Sequence, residues 1–153
     1  ALQDALATRW NALPDVLNGA TSVLVLGRGP ALAAAQEMAL KLKELLGLHA
    51  EAFSSAEVMH GPVVLGAPGR AVIAVTTPDA GGASTRAAAQ ALAARGARVA
   101  TVGADLPLAA APHPWLAPIM ALASFYAAVE PLTRQRGHDP DHPEGLQKVT
   151  RTR

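Results

Sequence analysis

Three short runs of apolar residues, rich in β-branched side chains, constrain the fold of this chain more than any other feature. They lie at 21–27 (TSVLVLG), 71–77 (AVIAVTT) and 98–103 (RVATVG). Each has the length and apolar character of a strand that is buried on both faces of a parallel sheet. Helical patterns follow the first two runs, at 30–47 and at about 83–95. Strands that alternate with helices in this way predict an α/β domain, with a parallel sheet between layers of helices.

Shorter segments are expected to add to this core. Ligands in such sheets bind beyond the carboxyl ends of the strands, so the loops at 27–30 and 77–82 are expected at the site. Four further elements are predicted: an amphipathic helix at 1–18 bent near Pro14, an edge strand at 49–53, a short strand at 106–111 and a helix at 116–136 kinked at Pro131.

Composition excludes several classes of function. The 153 residues suffice for one domain with its own core, and only 3% are aromatic, so Ala, Leu and Val build that core. Thirteen basic and twelve acidic residues provide no basic surface for nucleic acid. The lack of cysteine excludes disulfides, thiol chemistry and Cys-ligated zinc. No leader segment precedes the predicted fold, so we expect a cytoplasmic protein, or a piece of a longer one.

One segment resembles a membrane span by length. Residues 106–129 contain no Asp, Glu, Lys or Arg, and a stretch of this length could cross a bilayer. Prolines interrupt it, however, and the uninterrupted part at 119–129 is too short to span. A buried core or interface helix is the preferred interpretation.

A charged stripe on the first helix is the main candidate for chemistry. Glu37, Lys41 and Glu44 are spaced i, i+4, i+7 and therefore share one narrow helical face. Such a stripe can be a solvated row of ion pairs, each worth only a few tenths of a kcal/mol. Alternatively, a carboxylate, an ammonium group and a nearby imidazole such as His60 can open a ring, hold a carbonyl and move a proton between neighbouring carbons. The spacing leaves both interpretations open.

The segment before His60 gives weaker signals. Ser54 and Glu57 fit a capping box, so Glu57 is predicted to cap a short helix. His60 then lies just beyond that helix, where a satisfied loop residue and a functional group are equally reasonable. His49 lies in a strand-like segment and is expected to be structural.

The glycine-containing loops do not predict a nucleotide site. Gly27, Arg28 and Gly29 resemble the start of a dinucleotide motif, but Leu32 replaces its third glycine. The N–H groups after Gly29 could still hold an anion at the helix start. Residues 76–85 (TTPDAGGAST) could cradle phosphate by position.

Two further motifs favour structural interpretations. Asp79 in the 76–85 loop would repel a phosphate, so a structural turn is predicted there. Residues 138–142 (HDPDH) have metal-ligand side chains, but a solvated turn is preferred and no metal site is predicted.

Several long motifs resemble one known family. Residues 27–29 (GRG), 37–44 (EMALKLKE), 49–57 (HAEAFSSAE) and 60–62 (HGP) resemble the second sugar isomerase (SIS) domain of glucosamine-6-phosphate synthases. The tail at 137–150 resembles the C-terminal tail of that family and of SIS-type glucosamine-6-phosphate deaminases. Its ending, KVT, is closer to the deaminase branch.

The resemblance implies a flavodoxin-like α/β fold and defines domain limits. An N-terminal linker helix is expected at 1–20, the SIS domain at 21–136 and an active-site tail at 137–153. The implied reaction acts on phosphorylated keto or amino sugars without a metal or organic cofactor. The expected partners are a sugar-phosphate substrate and a second copy of the chain, with no nucleic acid or membrane.

The resemblance also implies roles for individual residues. Glu44 would shuttle the proton between C1 and C2, and Lys41 beside it would help to position the sugar and stabilise negative charge. His60 would assist ring opening in the site of the neighbouring protomer, and Lys148 would meet the open-chain carbonyl. Substrate contacts are further expected from Gly27, Arg28, Gly29 and Gln147.

One departure from the family pattern is visible. The family's first SIS domain grips phosphate with a Ser/Thr-rich loop, and residues 76–85 do not keep that pattern. The chain therefore resembles the C-terminal half of a two-domain enzyme, inactive or weakly binding by itself. The alternatives are a non-catalytic phosphosugar-binding domain and an interaction module. The presence of four candidate catalytic side chains argues against a non-catalytic phosphosugar sensor, which would not need a base. They are Glu44, Lys41, His60 and Lys148.

Overall fold

A parallel sheet of four strands forms the centre of the protein in a computed structural model that describes residues 1–143, 145 and 146. The strand order is β2-β1-β3-β4, which is the order of flavodoxin-like sheets. The predicted α/β fold class is thereby confirmed. The strands are β1 (Ser22–Gly27), β2 (Ala50–Ser54), β3 (Arg70–Ala74) and β4 (Arg98–Thr101).

Helices cover both faces of the sheet. Val23 and Val25 of β1 pack with Phe125 in the larger core, whereas Leu24 packs with Leu92 in the core on the opposite face. Because both faces are buried, the two central strands, β1 and β3, are nearly continuous apolar runs rather than alternating patterns. The helices are α1 (Leu2–Ala7), α2 (Leu13–Leu17), α3 (Pro30–Leu46), α4 (Ala80–Ala93) and α5 (Ala117–Gln135).

Helix α3 connects β1 to β2 and runs from the carboxyl ends of the strands, here called the carboxyl edge, to their amino ends, the amino edge. A Cβ at Gly27 would lie 2.3 Å from the carbonyl oxygen of Ala31, so only glycine permits α3 to begin this close to β1. Gly47 ends the helix with a left-handed conformation at φ 61°. Residues near the start of α3 therefore lie at the carboxyl edge of the sheet. Residues near its end lie beside the start of β2, at the amino edge.

The N-terminal segment differs from the prediction of one helix bent near Pro14. Residues 8–12 separate two short helices, and Pro14 lies in the first turn of α2, where its missing N–H is harmless. Trp10 causes the break, because its buried indole donates a hydrogen bond to the carbonyl of Pro107 at 2.9 Å and packs against Phe125. The domain boundaries predicted from the sequence, with a linker segment at 1–20, remain a prediction.

The short strand expected at 106–111 is wrong. A single bridge joins Val102 to Leu106, and residues 107–111, all within the described part, have no regular structure. The chain instead turns back on the edge of β4, where Asp105 accepts a hydrogen bond from the Thr101 N–H at 3.0 Å. Leu106 N–H donates to the Thr101 carbonyl at 3.1 Å. This turn satisfies the N–H and the carbonyl of Thr101 without a further strand.

The capping box predicted at Ser54 and Glu57 is also wrong. Glu57–His60 forms a single 3₁₀ turn that begins after Ala56, without a side-chain cap. Ser54 Oγ accepts only a long hydrogen bond, 3.4 Å, from the Ala56 N–H. Because Ala56 and not Ser54 is the residue before the turn, Glu57 is its first residue rather than the third that a capping box requires.

Helix α5 contains the uninterrupted part, at 119–129, of the apolar segment noted in the sequence. The stretch Pro114–Gln135, 22 residues, is long and apolar enough to cross a membrane, but 56% of its most apolar window is buried inside the protein. Length and composition of one helix are weak evidence for a span, since a core helix has the same properties.

Helix α4 begins three residues earlier than predicted, because Asp79 caps it. Asp79 Oδ1 accepts hydrogen bonds from the Gly82 N–H and the Thr77 hydroxyl, both at 2.9 Å. A Cβ at Gly82 would lie 1.8 Å from the Thr77 carbonyl oxygen, so glycine is required where the helix meets β3. The structural turn predicted for this loop is thus built around a carboxylate at the helix N-terminus.

Replacing Asp79 with alanine is expected to lower the free energy of unfolding by about 1 kcal/mol, because the cap and the Thr77 contact are both lost. Urea denaturation of purified chains measures the change. Asp79→Asn is the matched control, since its amide oxygen can still cap, and it should lose less than half as much. Equal losses in the two variants would contradict a capping role.

Candidate active site

The charged stripe of α3 forms a compact ion-pair network. Lys41 Nζ lies 2.6 Å from Glu44 Oε2 and 3.8 Å from Glu37 Oε1. The side chains of Lys41 and Glu44 are only 28% and 24% exposed. The stripe is therefore a half-buried network rather than a solvated row of charges, and desolvation strengthens interactions in such a place.

Helix α5 supplies the cover over this network. The Tyr126 hydroxyl donates a hydrogen bond to Glu37 Oε1 at 2.5 Å. Burial, followed by this bond to Glu37, raises the pKa of Tyr126 to about 12. The hydrogen bond to Glu44 is the main cause that raises the pKa of Lys41, against the opposing effect of burial. At neutral pH the site thus contains a protonated phenol and an ammonium group.

A cavity of about 380 Å³ opens beside the network, between α3, α5 and the tail. Its volume lies within the range of small-molecule pockets. Arg134 on α5 pairs with Glu130 on the cavity wall and, at 3.5 Å, with Asp141 of the tail. The residues on the wall that matter for chemistry and shape are Lys41, Glu44, Tyr126, Glu130, Pro140 and Pro143.

A second cavity lies at the carboxyl edge of the sheet. It measures about 480 Å³, and the 27–30 and 77–82 loops meet around it. This is the position expected for a site beyond the carboxyl ends of parallel strands. Arg28 and Gly29 line one side, and Asp79 and Ser84 the other. Because the Asp79 carboxylate already occupies the start of α4, the site where a phosphate would bind contains a negative charge.

The two cavities are far apart within one chain. Glu44 lies about four helical turns, roughly 20 Å, beyond Pro30 along α3. His60 is exposed and follows the carboxyl end of β2, at the same edge as Arg28. The chain therefore brings Lys41 and Glu44 together but leaves His60, Gly27, Arg28 and Gly29 at the opposite edge. His49 is exposed, and its carbonyl oxygen accepts the Val23 N–H.

Two predicted residues, Gln147 and Lys148, lie outside the described residues. The described part of the tail contains a local turn, in which Asp139 accepts the Asp141 N–H at 2.9 Å and pairs with His142 at 3.0 Å. The hydrogen bond from the Asp141 backbone is the main cause that lowers the pKa of Asp139. Among the described residues, no group of three or more His, Cys, Asp or Glu is arranged to hold a metal ion.

Sequence reasoning missed the part of the site that α5 contributes. Tyr126 and Glu130 lie more than eighty residues from Lys41 in the chain. No local pattern marks them, because their place depends on how α5 is rotated against α3.

Comparisons with known proteins agree with this architecture. The sequence model of the SIS domain matches residues 16–130. The isomerizing glutamine–fructose-6-phosphate aminotransferase of Pyrobaculum aerophilum is 38% identical over 144 residues, which cover 84% of this chain and 23% of the relative. The chain thus spans about a quarter of the length of the curated relatives that it matches.

Solved structures show the same fold. A protein from Silicibacter pomeroyi, assigned as a phosphosugar isomerase, is 37% identical and superposes with a TM-score of 0.79 over 90% of this chain and 44% of its own. Glucosamine-6-phosphate deaminase from Thermotoga maritima is 24% identical, with a TM-score of 0.77 over 95% and 46% of the two chains. The C-terminal domain of the aminotransferase from Francisella tularensis is 24% identical, with a TM-score of 0.68 over 90% and 41% of the two chains.

The family match covers most of the sheet and its helices, and the charged stripe of α3 lies within it. The relatives that share the fold at 30% identity or more are named as enzymes of sugar phosphates. This chain belongs to the SIS domain family, and within it is related to the C-terminal SIS domain of the glutamine–fructose-6-phosphate aminotransferases.

Proposed function

We propose that this chain is the C-terminal SIS half of an aldose–ketose isomerase or amino-sugar-phosphate deaminase. Its substrate would be a hexose-6-phosphate or amino-sugar-6-phosphate, and the reaction would open the ring and transfer a proton between C1 and C2. The observation that carries the proposal is the Lys41–Glu44 pair, 2.6 Å apart and half-buried on the wall of a 380 Å³ cavity.

The proposed reaction needs a base and a cation at a site that is partly shielded from solvent. Glu44 would remove the proton from one sugar carbon and return it to the neighbouring carbon. The intermediate is an enediol or enolamine whose oxygen gains negative charge, which the Lys41 ammonium would stabilise. Lys148 would meet the open-chain carbonyl from the tail. Pro140 and Pro143, which line the cavity, support this because they bring the tail to its wall.

The phosphate of the substrate would not bind at this chain's own 76–85 loop. Asp79 already occupies the helix start at the carboxyl edge, and that edge is roughly 20 Å from Glu44 along α3. A companion SIS domain would therefore grip the phosphate of the sugar bound at Glu44. The greater length of the curated relatives supports this division of labour.

The residues at the carboxyl edge would serve a neighbouring protomer. His60 is exposed there and could assist ring opening in a site that the partner's Glu44 completes. Gly27, Arg28 and Gly29 lie at the same edge, and we propose that they contribute to substrate binding, as does Gln147 on the tail. The working protein would be a cytoplasmic homodimer that uses no cofactor.

Replacing Glu44 with glutamine tests the proposed base. With the companion SIS domain supplied, wild type should exchange hydrogen at C1 or C2 of a hexose-6-phosphate in deuterated water, as followed by proton NMR. The Glu44→Gln variant should lose about 10²- to 10⁴-fold in rate, because an amide cannot accept the proton. Glu51→Gln, which changes an exposed carboxylate on β2, should leave the rate unchanged. Exchange that persists in Glu44→Gln would end the catalytic assignment in favour of a non-catalytic binding domain.

Mixing two inactive variants tests whether His60 acts in the neighbouring protomer. If a His60→Ala chain pairs with a Glu44→Gln chain and the companion SIS domain is supplied, one of the two sites in each mixed dimer regains both groups. Random mixing should then restore about a quarter of the wild-type activity. Two variants of the same residue, mixed in parallel, should restore nothing. No recovery in the mixed sample would mean that His60 does not act across the interface.

A further inference from the structure

Lys41 faces two carboxylates, and only one of them is the proposed base. Glu37 lies one turn before it on α3 and Glu44 one turn after it, so helical geometry alone would permit either pairing. The ammonium nevertheless lies 2.6 Å from Glu44 and 3.8 Å from Glu37. Something outside α3 breaks the symmetry between the two partners.

That asymmetry comes from α5. Tyr126 donates its hydroxyl hydrogen to Glu37 Oε1 at 2.5 Å, and a hydrogen bond to a carboxylate is strong because the acceptor is charged. We propose that Tyr126 is a positioning residue, which holds Glu37 and thereby leaves Lys41 on Glu44. The inference rests on the proposed function, since it assumes that Glu44 is the base and Lys41 its cationic partner.

The position of Tyr126 on α5 suits this role. The ring of its neighbour Phe125 is fully buried and 6.0 Å away, whereas Tyr126 is 38% exposed and extends its hydroxyl to Glu37. A pKa of about 12 keeps the phenol protonated throughout the neutral range, so it remains a hydrogen-bond donor to Glu37. The other charged side chain on this part of the wall, Glu130, is paired with Arg134.

Loss of the hydroxyl should release Glu37 to compete for Lys41. The ammonium would then move toward Glu37 and away from the base, where negative charge develops during the reaction. This would slow the chemical step and leave substrate affinity nearly unchanged. A direct contact between Tyr126 and the sugar predicts a different result, because such a contact would not depend on Glu37.

A double-mutant cycle on hydrogen exchange separates these cases. With the companion SIS domain supplied, Tyr126→Phe should lower kcat by roughly tenfold, the equivalent of one charged hydrogen bond, with KM within twofold of wild type. In a Glu37→Gln background, where no second carboxylate competes, Tyr126→Phe should have no further effect. An equal loss in both backgrounds, or a loss confined to KM, would overturn the inference.

NMR of the 153-residue chain tests the positioning without any assay of activity. In Tyr126→Phe, the side-chain carboxyl ¹³C signal of Glu44 and the ammonium ¹⁵N signal of Lys41 should both shift, and the added Glu37→Gln change should reverse the shifts. The carboxyl signal of Glu51 should remain in place and serves as the control for folding. Unchanged Glu44 and Lys41 signals would refute the positioning role even if the enzyme is active. The expected shifts in a protein without exchange activity would instead refute the proposed function alone.

Discussion

The close contact between β1 and α3 at Gly27 is the constraint on which the rest of the structure depends. Because no side chain separates the strand end from the Ala31 carbonyl, α3 lies flat on the sheet and crosses it from the carboxyl edge to the amino edge. One helix thus separates the two groups of predicted site residues. Arg28 lies just before its start at one edge, and the Lys41–Glu44 pair lies on its last turns near the other edge.

At the amino edge, competition between charges decides which carboxylate pairs with Lys41. Two carboxylates and one ammonium on a solvated helix would exchange partners freely, since each pair contributes only tenths of a kcal/mol. Partial burial under α5 changes this balance, because water no longer screens the pairs as well. The phenol of Tyr126 then fixes one carboxylate, and the pairing of the other with Lys41 becomes the preferred arrangement.

The sequence predicted those parts of the molecule that local signals determine. Pro30 and Gly47 mark both ends of α3, and the i, i+4, i+7 spacing placed Lys41 and Glu44 together. Prediction from the sequence failed where contacts between distant residues override local patterns. The indole of Trp10 breaks the N-terminal helix by reaching Pro107, and the rotation of α5 against α3, which brings Tyr126 to Glu37, leaves no mark in either helix alone.

The separation of the two edges also bears on the proposed function, in which the catalytic residues would be distributed among domains. A sugar phosphate is too short to bridge roughly 20 Å along α3, so under the proposed function each edge would serve a site that another domain or protomer completes. At the carboxyl edge the Asp79 carboxylate stabilises α4 by occupying the position in which a phosphate would bind. A domain that caps its helix with its own carboxylate gains stability without a ligand. Under the proposed function, such a domain would depend on a neighbouring domain to bind the phosphate, and Glu44 at the amino edge would be its own contribution to catalysis.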